Sequence, residues 1–82
     1  MDIREIIKKV IETVKLYINA KLKQHWVYRD SAIFIFKIQE SYIAHYTLRY
    51  LHEALLDLAK LHFDKSYVAV IINSNYELII MW

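Results

Sequence analysis

The stretch AIFIFKI, residues 32–38, decides the fold. A strand that is open to water on one face alternates apolar with polar residues. This stretch is apolar on both sides, because two sets of side chains alternate along it: Ile33 and Ile35 on one side, and Phe34, Phe36 and Ile38 on the other. Residues 67–72 and 76–82 show the same pattern. We therefore predict a β-sheet that is buried on both faces.

Two helices accompany these strands. Asp2 followed by Glu5 is typical of a capping box, and apolar residues at helical spacing then predict a helix over residues 3–22. Ser41 is a candidate N-cap for a second helix, which we expect to end at residue 62 or 63.

The other predicted elements are a short strand at 26–28 and a turn at 29–31. The chain has no Gly and no Pro, so the hairpin turn predicted at 73–75 (NSN) needs Asn at positive φ. The order α-β-β-α-β-β predicts one α+β domain over residues 1–82. We expect a two-layer fold in which a four-stranded, mainly antiparallel sheet packs on two helices.

Composition excludes several classes of protein. The chain has 82 residues, a formal net charge of +2 and a hydrophobic fraction of 57%, which is too apolar for a disordered chain. It has no Cys, which excludes disulfides and thiolate metal sites, and without Gly it has no phosphate-binding glycine loop. No stretch approaches the roughly 18 uncharged apolar residues of a membrane span. We expect a cytoplasmic protein with no membrane contact.

A sheet that is apolar on both faces needs two covers. Two helices can cover one face of four strands, so we expect a second copy of the chain, or another protein, to cover the second face. Half a dozen large apolar side chains left in water would forfeit roughly 1.5–3 kcal/mol each, as much as the whole stability of a small domain. The alternative is one helix on each face, which needs no partner. We favour a homodimer.

The stretch SYIAHYTLRYLHE, residues 41–53, carries tyrosines four residues apart. On a helix they lie opposite the leucines that form its core face, together with three predicted ion pairs: Arg49–Glu53, Asp57–Lys60 and Lys60–Asp64. This face is either solvated or a contact surface. A helix of about 22 residues would be roughly 33 Å long and would span or overhang a domain this small, which favours contact with a second copy.

The predicted protein interface draws on this helix face and on the sheet. It comprises Tyr42, Tyr46, Arg49, Tyr50, Phe34, Phe36 and Trp82. Tyr and Arg are the residue types enriched at binding hot spots.

The sequence indicates neither a catalytic site nor a metal site. His45 and His52 are two helical turns, roughly 10 Å, apart, too far to share one metal ion. With Arg49 they could in principle serve acid–base catalysis, but nothing distinguishes them from an ordinary polar helix face. We expect no catalytic residue, no metal and no cofactor.

A nucleic-acid interface is the alternative. Residues 13–29 are rich in cations and aromatic rings and contain no acidic residue. Lysines for phosphates and rings for bases are typical of single-strand binding proteins. The candidate residues are Lys15, Lys21, Lys23, His25, Trp26, Tyr28 and Arg29. The segment can also be read as a solvated helix end, with Trp26 in the core.

Overall fold

The structure, a computed structural model, describes residues 2–82. Its elements are α1 (Ile3–Lys15), β1 (Ala20–Val27), β2 (Ala32–Ile38), α2 (His45–Phe63), β3 (Ala69–Ile72) and β4 (Glu77–Met81). The four strands form one sheet in the order β1-β2-β4-β3, and each neighbouring pair is antiparallel. The predicted α+β fold and its element order are confirmed.

Helix α1 begins as predicted and ends earlier. The Asp2 side chain caps it by accepting a hydrogen bond from the Arg4 backbone N–H (3.1 Å). The helix ends at Lys15 rather than at residue 22, because residues 20–27 form β1 and pair with β2. Local spacing could not reveal this, since the ladder to β2 satisfies the same backbone groups that a longer helix would have used.

Helix α2 begins later than predicted. It begins at His45 with Ala44 as its N-cap, and no side-chain hydrogen bond caps it, so the assignment of Ser41 as the N-cap is wrong. The extended residues before the helix bring Ile43 against the core. Its end at Phe63 agrees with the prediction, and Asp64 closes it in the left-handed conformation (φ 53°).

Both helices lie on the same side of the sheet. They form one hydrophobic core together with one face of the sheet. The helices contribute Val10, Val14, Leu51, Leu55 and Ala59 to this core, and the strands contribute Phe34, Phe36, Leu78 and Ile80. The alternative arrangement, with one helix on each face, is therefore wrong, and the second face of the sheet has no cover within residues 2–82.

Helix α2 does not overhang the domain. Its 19 residues make it about 28 Å long, and the molecule measures 34 Å along its longest axis. The length argument for an interface on this helix therefore fails.

The β3–β4 hairpin turns where predicted, but a different residue takes the left-handed conformation. Asn73 Oδ1 accepts hydrogen bonds from the backbone N–H groups of Asn75 (3.0 Å) and Glu77 (2.9 Å). Tyr76, not an Asn, has positive φ (57°). The asparagine shapes the turn through its side chain, which leaves Tyr76 at the position that Gly usually fills.

Candidate functional site

The sheet surface that faces away from the helices is the candidate site, and we call it the open face. Residues directly opposite each other on antiparallel strands point to the same side, so the register defines three rows. The first row holds Trp26, Ile33, Met81 and Ala69; the second holds Gln24, Ile35, Ile79 and Ile71; the third holds Lys21, Lys37 and Glu77. Two rows are thus largely apolar and the third is charged.

The apolar rows are in partial contact with water. Trp26 is 41% exposed and Ile71 is 46% exposed, at the two outer strands. Ile33, Ile35, Ile79 and Met81 on the inner strands are half-buried by their neighbours. The centre of the open face is therefore a flat apolar surface with more exposed side chains on either side.

The charged row is held together by Glu77. Lys23 reaches over β2 to Glu77, with its Nζ 2.6 Å from Oε2, and Asn73 Nδ2 donates to Oε1 (2.9 Å). The hydrogen bonds from Asn73 and Lys23 hold the pKa of Glu77 below its usual range. Lys37 Nζ donates to the carbonyl oxygen of Asn75 (3.0 Å).

The outer edge of β1 is poorly suited to pairing with another strand. A β-bulge lies between Leu22 and Gln24, with Lys23 as its unpaired residue, and Lys21 comes just before it. Bulges and lysines are the usual means by which natural proteins prevent edge-to-edge association. A partner for the sheet is therefore more readily accepted by its face than by this edge.

The predicted interface residues divide between three places. Tyr46, Arg49 and Tyr50 are exposed on α2, and Tyr42 is exposed in the segment before this helix. Phe34 and Phe36 are fully buried against the helices, so they cannot form an exposed contact surface. This corrects their assignment, since the open face of β2 carries the isoleucines instead. Trp82 is half-buried and stacks on Phe63, with 5.0 Å between ring centroids.

The tyrosine row on α2 is loosely organised. The rings of Tyr46 and Tyr50 meet edge to face at 6.3 Å. Of the three predicted ion pairs, Arg49–Glu53 forms, at 3.8 Å, and the two that involve Lys60 do not form within residues 2–82. Such an exposed pair contributes well under about 1 kcal/mol.

The strand geometry separates the predicted nucleic-acid residues. Lys21 and Trp26 lie on the open face, whereas His25 pairs with Phe34 on the helix side, where the two rings stack at 6.5 Å. Lys23 is paired with Glu77. The other three lie elsewhere: Lys15 in the last turn of α1, and Tyr28 and Arg29 just after β1. The segment is therefore not one continuous surface.

The open-face residues that sequence reasoning missed had a usable signal. Lys37 is in phase with Ile33 and Ile35 along β2, and Glu77 is in phase with Ile79 along β4. A charged residue at the end of an otherwise apolar set indicates a side that water reaches, as for the exposed Lys37, or a side where the charge has a partner, as for the buried Glu77 with Lys23.

The histidines of α2 do not converge on a site. His52 Nε2 lies 2.8 Å from the carbonyl oxygen of Val68 and so links α2 to the start of β3. Within residues 2–82 no three His, Asp or Glu side chains are grouped so that they could hold a metal ion. Neither helix in this range has the length and apolar character to cross a membrane.

No protein-family model, curated protein or solved structure matches the chain.

Proposed function

We propose that this protein is a small, non-catalytic interaction or assembly protein that acts as a homodimer, with the open faces of two copies packed together. The observation that carries this proposal is the position of both helices on one side, which leaves two apolar rows of the sheet without cover. We place the dimer in the cytoplasm.

The size of the open face fits a weak dimer. Four strands about 4.8 Å apart and on average about six residues long at 3.3 Å each give roughly 400 Å² per copy. Two copies would bury somewhat under 1,000 Å², which is below the standard size of stable interfaces and in the range of transient ones. We therefore expect association in the micromolar range rather than an obligate dimer.

Charge favours a second copy as the occupant. The open face has a cation, Lys21, at one end of β1 and an exposed ring, Trp26, near the other. About a twofold axis that runs across the strands, Lys21 of one copy lies over Trp26 of the other, where an ammonium group and an indole face attract each other. The other orientation, with the axis along the strands, would lay β2 over β4 of the second copy and place Lys37 opposite Glu77, but it would leave Lys21 and Trp26 without this contact.

Analytical ultracentrifugation of the unmodified chain tests the proposal. Sedimentation velocity over a series from about 1 to 200 µM should show a monomer–dimer equilibrium, since that range brackets the expected micromolar constant. A monomer throughout would contradict the dimer. A dimer that persists in high salt fits an apolar contact, because added salt screens surface charge pairs and leaves apolar burial intact.

Nucleic-acid binding is the second candidate, and one observation favours it: Lys21 and Trp26 share the open face. A single strand lying on that face would stack a base on Trp26 and place a phosphate near Lys21. Fluorescence anisotropy with single- and double-stranded DNA and RNA at two salt concentrations tests this function. Affinity that falls with added salt supports it, and affinity that is absent or unchanged contradicts it.

A further inference from the structure

A cleft of about 470 Å³ opens where α2 ends, on the helix side of the sheet. It is lined by the last turn of α2 and the residues after it (60–65), by the β1–β2 connection (27–29), and by Ile6 and Trp82. Its volume is in the range of small-molecule sites, roughly 300–1,000 Å³. It shares no residue with the three rows of the open face.

Stacked aromatic rings form part of the cleft lining. Phe63 and Trp82 lie nearly parallel, at 11° with 5.0 Å between centroids, and Trp82 also packs at 5.5 Å on Phe34. Since Phe34 is fully buried, the indole is fixed from below by the core. Phe63 and Trp82 remain partly exposed. Because the two rings cover each other's inner faces, the outer face of the pair is the planar apolar surface on which another flat ring can stack.

The cleft is also cationic. Three cations, Arg29, Lys60 and Lys65, line it with one carboxylate, Asp64. Among the side chains of the lining, positive charges therefore outnumber negative charges by two. Within residues 2–82 the salt bridges are Lys23–Glu77 and Arg49–Glu53, so the cleft cations have no carboxylate partner at salt-bridge distance.

The C-terminal end of α2 restricts where in the cleft an anion can bind. A helix C-terminus carries a partial negative charge, so the carbonyl groups at the end of α2 would repel an anion. Lys60 lies in the last turn of that helix and offsets this charge. Arg29 comes from the β1–β2 connection and is not part of this helix end. Lys65 directly follows the C-cap of α2, where its backbone N–H donates to the Ala59 carbonyl oxygen (3.2 Å), and its ammonium group, like that of Lys60, offsets the charge of the helix end.

We infer that this cleft binds a nucleoside phosphate, whose base stacks on the outer face of the Phe63–Trp82 pair and whose phosphate contacts Arg29 and Lys65. A planar ring that carries an anion is the chemistry that stacked aromatic side chains and unpaired cations recognise together. A free mononucleotide and the end of a single-stranded oligonucleotide both present it.

Indole fluorescence can report this binding directly. The chain has two Trp residues, so Trp26→Phe leaves Trp82 as the sole indole. Titration of this variant with adenosine monophosphate should quench Trp82 in a saturable way. Parallel titrations with adenosine, inorganic phosphate and a short 5′-phosphorylated single strand separate the contributions of the base, of the anion and of the polymer.

Variants of the cationic rim test the site. In the same background, Arg29→Ala and Lys65→Ala should each weaken adenosine monophosphate binding about three- to tenfold, since each removes a charge-assisted contact to phosphate. Lys8→Ala is the matched control, because Lys8 is an exposed lysine on α1 outside the cleft lining, and it should leave the affinity unchanged. Circular dichroism checks that each variant is folded.

Each outcome decides the inference. Saturable quenching that needs both base and phosphate and responds to the rim variants supports it. If the single strand binds more tightly than the mononucleotide and is weakened equally by the rim variants, the result supports the inference and identifies a polynucleotide as the natural ligand. The absence of saturation at millimolar nucleotide overturns it. The inference is also overturned if adenosine alone or phosphate alone binds as tightly as the nucleotide, or if Lys8→Ala weakens binding as much as the rim variants do. A monomeric chain would end the dimer proposal without affecting any of these results.

Discussion

Replacing Ile35 by Glu places a charge at the centre of the open face. Ile35 occupies the middle row on an inner strand, beside Ile79. About the twofold axis proposed above, which crosses the strands near the middle row, the two copies of Ile35 come together. The substitution therefore introduces two carboxylates into the contact and brings them close to each other.

The expected effect on the dimer is large. Taking a carboxylate out of water without a partner costs several kcal/mol, even after relaxation and water entry. Two of them face each other here, so a total of about 3 kcal/mol is a conservative figure, and it corresponds to at least a hundredfold weaker dimer.

The monomer should tolerate the same change. Ile35 is half-buried on a face that is open to water, so the new carboxylate stays hydrated in the single copy. The loss of β-propensity and of partial burial amounts to roughly 1 kcal/mol. Urea denaturation below the dissociation constant measures this loss separately, and sedimentation velocity measures the dimer.

Leu61→Glu is the matched control. Leu61 is 78% exposed on α2 and lies outside the three rows, so the same charge added there should leave association as it is. The reasoning is refuted if the Ile35 variant dimerises like the unmodified chain, or if the Leu61 variant dissociates to the same extent. A dimer sensitive to Leu61 would move the contact to the helix side.

Three further outcomes follow from the structure. Tyr46→Ala with Arg49→Ala should leave dimerisation within about twofold of the unmodified chain by sedimentation velocity, because neither side chain lies on the open face and sites without shared contacts act independently. A large loss would restore the helix face as the interface. Tyr76→Phe should raise the free energy of unfolding in urea by up to about 1 kcal/mol, since the tyrosine hydroxyl is buried without a hydrogen-bond partner within residues 2–82, and a clear loss would show that it has one. Asn73 and Lys23 lower the pKa of Glu77 in the folded chain. The stability that ionised Glu77 contributes is therefore complete above the usual glutamate pKa and is lost as the pH falls through the lowered value. Glu77→Gln should flatten the acid side of the plot of unfolding free energy against pH, and an unchanged plot would contradict this origin.

Much of the fold could be predicted from the sequence because its signals are local. The order of elements followed from apolar spacing, and the N-cap of α1 and the end of α2 followed from residue type. The β1 segment was different. Lys21 and Lys23 alternate with residues that suit a helix as well as a strand. The pairing of β1 with β2 decides its conformation, and no local pattern encodes that long-range ladder.

Only part of the candidate site could be predicted from the sequence. Strand alternation separated Ile33 and Ile35 from Phe34 and Phe36, but alternation alone does not say which set meets the helices. The volume of the core decides it. The two phenylalanines fill the space between the sheet and the leucines of α2, and the smaller isoleucines are left on the open face. The cleft beside Trp82 could not be predicted from the sequence, because its lining comes from four separate parts of the chain.

A face-to-face dimer would put the sheets inside and the helices outside. Both clefts would then open on the outer surfaces of the assembly, because each shares no residue with the open face. A mononucleotide would bind each cleft independently, whereas one strand long enough to reach both would gain avidity from the second contact. Disrupting the contact with Ile35→Glu would therefore weaken binding of a long single strand and leave the mononucleotide affinity unchanged. The proposed dimerisation and the proposed nucleoside phosphate binding would thus be physically separate, coupled only by a ligand that spans both copies.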